Sequence, residues 1–227
     1  MWSDRSQPRS YGRLAAQVQR LALLVLVTIC CLKPALADEP VKLVALGDSL
    51  TAGLGLAADQ AFPAKLAAAL KAKGLAVTIV NAGVSGDTTT GGLDRLDWSV
   101  PDGTQGVILE LGANDALRGI DPKLVKATLE TILKKLNDRH IPVLLAGMLA
   151  PRNLGDDYAD AFDAIYPALA STHAVVFYPF FLDGVITDPT LLQGDGLHPN
   201  AAGVDMIVAR ILPRVEELIA KASSASR

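Results

Sequence analysis

The sequence predicts an α/β protein, a three-layer α/β/α sandwich of flavodoxin-like type around about five parallel strands. Three observations predict it. Short runs rich in Val, Ile and Leu alternate with longer stretches of helical pattern, and parallel neighbours need such crossovers. The apolar runs read as strands buried on both faces, which calls for helices above and below the sheet. The polar, glycine-bearing segments follow the strands, where an open parallel sheet gathers its ligand-binding loops on one edge.

The chain begins with a separate segment. Residues 1–20 carry Arg5, Arg9, Arg13 and Arg20 against a single Asp4, and LALLVLVTICCL follows at 21–32. A basic leader, an apolar stretch of about a dozen residues and Ala35-Leu36-Ala37 form the pattern of a secretory signal peptide, cleaved before Asp38. The apolar stretch falls short of the roughly 20 residues of a membrane-spanning helix, which disfavours a retained anchor. A lipoprotein signal at Cys30 or Cys31 is disfavoured too, because neither Ile29 nor Cys30 is the small residue that should precede the modified cysteine. The expected organisation is a signal peptide at 1–37 and one domain at 38–227, exported, with the periplasm as its compartment.

The elements of that domain follow in order. The strands are VKLVAL (41–46), LAVTIV (75–80), GVILEL (106–111), IPVLLAGM (141–148) and AVVFYP (174–179). A helix at 62–74 is ended by Gly74, and a short one lies near 88–96. The next, 122–139, has Asp121 as its N-cap and Pro122 at its first position. A further helix spans 157–172, and the last spans 200–222 with Pro213 as a candidate kink. No long linker, repeat or low-complexity segment divides the domain, and only SSASR at the end should fray.

Composition narrows the function. Residues 1–37 hold five of the 21 basic and one of the 24 acidic residues, so the remainder carries a net charge of about −7. That is a poor footprint for phosphate backbones, and no nucleic-acid partner is expected. Both cysteines depart with the leader, which excludes a disulfide, a thiol nucleophile and a cysteine metal site. No P-loop or G-x-G-x-x-G follows a strand, which argues against a nucleotide cofactor.

The polar groups converge. Gly47-Asp48-Ser49 follow the first strand, Asn81-Ala82-Gly83 the second, Gly112-Ala113-Asn114-Asp115 the third and Ala150-Pro151-Arg152 the fourth; Asp195 and His198 follow the fifth. Any one of these is a common turn or cap. Together they occupy one edge of the sheet. Of the three histidines, His140 and His173 fall between a helix and the next strand, on the opposite edge, so His198 is the only base available to Ser49. A serine hydroxyl needs such a base, and the base needs an orienting group, which Asp195 can supply from the same tight turn. Acyl transfer also needs donors for a developing oxyanion. The Ser49 and Gly83 N–H groups and the Asn114 amide are candidates. Asp48, Asn81, Asp87 and Asp115 read as scaffolding that hydrogen-bonds the loops.

ALGDSLTAG, NAGVSGDT, LELGANDALRG and DGLHPN resemble the four blocks of the SGNH (GDSL) hydrolases, in order, across nearly the whole domain. NDALRG, AFDAIYPALA and PFFLDGV resemble the TesA-type branch of acyl-CoA thioesterases, arylesterases and lysophospholipases. The resemblance implies Ser49 as nucleophile, His198 as base with Asp195 as its partner, and Gly83 and Asn114 in the oxyanion hole. It implies no metal or cofactor, and a mobile loop at 112–120 that adjusts around acyl chains. Met148-Leu149-Ala150-Pro151 departs from the branch beside the expected acyl pocket. Gly83-Val84-Ser85-Gly86 lacks the spacing of a G-x-S-x-G elbow, so Ser85 is not the expected nucleophile.

The expected activity is hydrolysis of carboxylic esters and thioesters through an acyl-enzyme on Ser49. Leu117, Ile120, Leu149, Pro151, Leu154, Tyr158 and Phe180 are the candidate acyl-pocket residues. The substrate is a small-molecule or lipid ester, membrane contact is at most transient, and a monomer is favoured. Lipid esters fit an exported enzyme better than the cytosolic acyl-CoA pool. A carbohydrate acetyl esterase is the alternative, although only Trp98 remains to stack on sugars once Trp2 leaves. A non-catalytic binding module on the same scaffold is the remaining one.

Overall fold

One sheet of five parallel strands carries the fold: β1 (Val41–Gly47), β2 (Val77–Gly83), β3 (Gly106–Glu110), β4 (Val143–Ala146) and β5 (Val176–Tyr178). The computed structural model describes residue 19 and residues 39–225. The leader pattern, Ala35-Leu36-Ala37 and both cysteines lie outside the described residues. The strand order is β2-β1-β3-β4-β5, the flavodoxin-like order, in which connections leave β1 and β3 in opposite directions and open a crevice between them.

Burial follows from position in the sheet. β1 from Leu43 onward, all of β3 and all of β4 are buried, as runs of aliphatic residues between two helical layers must be. β2 is one of the two edge strands and alternates instead, with Val80 53% exposed. It begins two residues later than its apolar run and extends through Asn81-Ala82-Gly83, because pairing with β1 continues to Gly47↔Gly83. The sequence marked that run as buried, and the edge position is what opens its alternate residues to solvent.

The helices are α1 (Ser49–Ala52), α2 (Phe62–Ala72), α3 (Thr89–Asp94), α4 (Leu96–Ser99), α5 (Ala113–Leu117), α6 (Pro122–Asp138), α7 (Asp156–Asp163), α8 (Ile165–Thr172) and α9 (Ala201–Ala225). α2 and α9 pack on each other over one face, and α6 with α3 and α8 forms the other layer. Phe62 of α2 meets Phe181, just beyond β5, edge to face at 5.0 Å, each ring burying apolar area on the order of 1.5–3 kcal/mol. α6 begins as its sequence dictates, with Asp121 accepting from the Lys123 N–H and Pro122 at its first position.

The stretch expected as one helix at 157–172 is two. Pro167 has no N–H to return to the Asp163 carbonyl, and its ring crowds that carbonyl, so α7 ends at Asp163. α9 runs through Pro213 without interruption. Asn200 caps it, its Oδ1 accepting from Ala202 and Gly203 at 3.0 Å.

The register places three strand ends together, with Gly47 opposite Gly83 on one side and Glu110 on the other. Arg95, buried between α3 and α4, binds the adjoining turns. Its Nη2 donates to the Gly47 carbonyl at 2.8 Å, its Nη1 to the Ala82 carbonyl at 2.8 Å and its Nε to Asp87 Oδ2 at 2.6 Å.

Candidate active site

The nucleophile turn forms where β1 stops. Asp48 caps α1, its Oδ1 accepting from the Leu50 N–H at 2.9 Å, and Ser49 is the first residue of that helix. Gly83 packs beneath it. Its own N–H donates to Asn81 Oδ1 at 3.0 Å, and a Cβ at this position would overlap the Ala52 backbone. Gly83 therefore serves close approach between β2 and α1. The N–H expected to hold an oxyanion is thus engaged by Asn81 in this structure.

Ser49 Oγ lies 2.9 Å from His198 Nε2, and His198 Nδ1 lies 2.6 Å from Asp195 Oδ2. The other Asp195 oxygen accepts from the Leu197 N–H at 2.9 Å and the His198 N–H at 3.0 Å. Those backbone bonds, with the imidazole contact, hold the Asp195 carboxyl well below the usual carboxylate range. As an ionised acceptor, Asp195 requires the proton on Nδ1, which leaves Nε2 free to accept from Ser49.

The Asp-His turn is fastened to the nucleophile helix through Gln193. Its Nε2 donates to the Leu54 carbonyl at 2.7 Å and the Pro199 carbonyl at 2.9 Å, and its N–H donates to the His198 carbonyl at 2.8 Å. The sequence reading passed over this residue. Its signal was slight, an amide side chain two positions before Asp195 in an otherwise short polar turn.

Backbone donors remain open in the turns at this edge. Neither the Ser49 N–H nor the Gly86 N–H meets an acceptor among the described residues. Gly86 sits at φ 86°, a conformation a side chain adopts only with strain. The turn that carries it is held to α5, since Asn114 Nδ2 donates to the Asp87 carbonyl at 2.9 Å. The same Nδ2 donates to Asp48 Oδ2 at 3.0 Å, so both amide hydrogens have acceptors and a substrate oxygen would share one of them. Asp115 anchors α3 from below, accepting from the Thr89 N–H at 2.8 Å and its hydroxyl at 2.7 Å.

A cavity of about 440 Å³ adjoins His198 and Asn114, and its walls are largely apolar. Leu117, Leu149, Pro151 and Phe180 line it, as the sequence suggested, and Leu50, Met148, Ile186 and Leu197 complete much of the wall. Ile120, Leu154 and Tyr158 are not among its lining residues. The Tyr158 hydroxyl donates to the Ile120 carbonyl at 2.9 Å, which makes this pair an anchor for the end of the 112–120 loop. Leu154 lies on a 3₁₀ turn outside, its Cδ1 3.9 Å from where a Cβ on Gly119 would be. His140 and His173 line a separate cavity of about 270 Å³ on the opposite edge. Among the described residues no group of three or more His, Cys, Asp and Glu side chains is placed to hold a metal ion.

A parallel α/β sheet bearing a Ser-His-Asp chain and an apolar cavity on its loop edge has the construction of an ester-bond hydrolase. Comparison with known proteins identifies the class and then the family. Residues 45–206 match the GDSL-like lipase/acylhydrolase family, and the chain belongs to that family. It is 41% identical over 181 residues to an arylesterase of Vibrio mimicus, covering 79% of this chain and 90% of that one. It is 38% identical over 197 residues to thioesterase 1/protease 1/lysophospholipase L1 of Escherichia coli K12, covering 86% and 90%. The crystal structure of AlinE4, an SGNH-hydrolase family esterase, superposes with a TM-score of 0.68 at 45% identity, covering 79% of this chain and 96% of that one. The protein is an ester-bond hydrolase with the SGNH α/β fold.

Proposed function

We propose that the protein is an exported serine esterase that cleaves lipid-type carboxylic esters and thioesters through an acyl-enzyme on Ser49. The observation that carries this is the unbroken hydrogen-bond chain Ser49–His198–Asp195 beside an apolar cavity of about 440 Å³. Ser49 Oγ attacks the acyl carbon while His198 Nε2 takes its proton, and Asp195 stabilises the imidazolium that results. The oxyanion receives the open N–H groups of Ser49 and Gly86, with Asn114 Nδ2 as third donor. Collapse breaks the bond to the alcohol or thiol, which leaves with the proton from His198. Water then repeats the sequence on the acyl-enzyme and restores Ser49.

An apolar cavity suits an acyl chain and has little to offer a sugar. Leu117, Leu149 and Leu197 are also about half exposed beside the cavity, which suits brief contact with aggregated lipid. The arylesterase and lysophospholipase named above support the same range of substrates. Among the described residues no helix is long and apolar enough to cross a membrane. Export rests on the leader pattern at 1–37.

The test is hydrolysis of p-nitrophenyl esters from acetyl to palmitoyl by the protein and by Ser49→Ala. Loss of at least about 10³-fold in kcat in the variant, with an optimum beyond acetyl, is expected. An acetyl-only optimum would favour the carbohydrate acetyl esterase reading, and full activity in the variant would remove Ser49 from the mechanism.

A further inference from the structure

Glu110 is the last residue of β3 and its one charged side chain, and it is fully buried. Its Oε2 lies 2.7 Å from the Thr51 hydroxyl and 3.4 Å from the Asp48 N–H, while its Oε1 has no hydrogen-bond partner among the described residues. Asp48, the N-cap of the nucleophile turn, is fully buried beside it. Both Asp48 oxygens are engaged by N–H donors, Oδ1 by Leu50 and Oδ2 by the Asn114 amide.

Among the described residues no cation is paired directly with either carboxyl. Arg95, the nearest buried guanidinium, gives its donors to Asp87, Ala82, Gly47 and Ser99. The other ionisable groups facing the two carboxyls are Asp115 from α5, His198 from the active-site turn and Tyr166 from α8. The Tyr166 hydroxyl is occupied, donating to the Leu111 carbonyl at 2.8 Å.

Two adjacent carboxyls in a dry interior without a counter-charge do not both ionise. Their hydrogen bonds decide which keeps the proton. N–H donors stabilise a carboxylate, and Asp48 has two good ones. Glu110 has a long N–H contact from Asp48 and a second from the Thr51 backbone, with a hydroxyl that can accept as readily as donate, all on one oxygen; its other oxygen is bare, where a neutral acid can carry its proton.

We propose that Glu110 is a positioning residue that retains its proton at neutral pH, so that Asp48 remains the carboxylate that aims the Asn114 amide and holds the Ser49 turn. Its effect on turnover rests on the acyl-enzyme reading above; its protonation does not. Burial and the Asp48 charge both push Glu110 well above its ordinary 4.5, and burial pushes Asp48 only up to about 6. The sign of the consequence is fixed. The unfolded chain releases the Glu110 proton near pH 4.5 while the folded protein keeps it, so this group lowers stability as pH rises from there towards its folded value. Glu110→Gln removes that slope and leaves the slope due to Asp48 in both proteins.

The experiment compares melting temperatures of the full chain and of Glu110→Gln from pH 4 to pH 8. The difference, variant minus parent, is expected to rise by about 5 °C or more across that range. A constant or shrinking difference overturns the proposal. An infrared difference spectrum of the two at pH 7 should show a protonated carboxyl band lost in the variant, and loss of a carboxylate band instead overturns it. Glu110→Gln should keep kcat within about threefold, because its amide oxygen still accepts from Thr51 and Asp48, whereas Glu110→Ala should lose about tenfold or more. Equal kcat in the two variants refutes the positioning role. Should Glu110→Gln not fold, infrared titration of the parent decides, since one carboxyl must stay protonated at pH 7. The thermal and infrared readings do not depend on activity, so an error in the esterase reading would leave them interpretable.

Discussion

Chemical demand made some side chains readable from the sequence and left others hidden. Ser49, Asp195 and His198 were legible because one imidazole alone falls on the correct sheet edge, and the structure brings the three into one hydrogen-bonded chain. Gly83 and Gly86 stand in a single short block, and only the backbone separates them. One spends its N–H on Asn81, and the other leaves its N–H open at φ 86°. Glu110 gave a sharper sign, a carboxyl inside a wholly apolar run, which a reading focused on loops overlooked. Asn114 provides the test at this scale. Asn114→Ala should lower kcat by about 10²–10³-fold with KM little changed, because its amide acts chiefly on the oxyanion. A KM effect alone, in steady-state kinetics on one ester, would make it a substrate-binding residue instead.

Elements were predicted well where a local signal sets them. Asp121-Pro122 starts α6, and Gly74, at φ 78°, follows the end of α2. They were predicted less well where tertiary context decides. The start of β2 depends on its pairing with β1, and the break between α7 and α8 depends on Pro167, which the apolar period alone does not show. What joins these elements at the site is Arg95, which binds the ends of β1 and β2 to the turn after them. Arg95→Ala would strand Asp87, the buried Gly47 carbonyl and the part-buried Ala82 carbonyl. A destabilisation of about 3–5 kcal/mol is expected, read as a lower urea midpoint with an unchanged m-value. A change under about 1 kcal/mol would mean that water replaces the guanidinium there.

For the molecule as a whole, the described residues 39–225 contain every group the mechanism uses. The chain from Asp38 onward should therefore fold, run as a monomer by light scattering and match the activity of exported material. Intact mass of that exported material should begin at Asp38. A mass that retains the leader would contradict cleavage, and a truncated chain that fails to fold would assign residues 1–37 a structural part. The fold class was the most legible feature, because alternation of apolar runs and helices requires a parallel sheet. The cavity was the least legible, since Leu50, Met148, Ile186 and Leu197 come from four separate segments that only folding assembles.

The central claim is that Ser49 becomes acylated, and the most direct measurement is mass spectrometry after reaction with a phosphonate ester that mimics the tetrahedral intermediate. The account predicts one adduct per chain, on Ser49, absent from Ser49→Ala and much slowed in His198→Ala. An adduct on another residue, or inactivation that persists in Ser49→Ala, would contradict it.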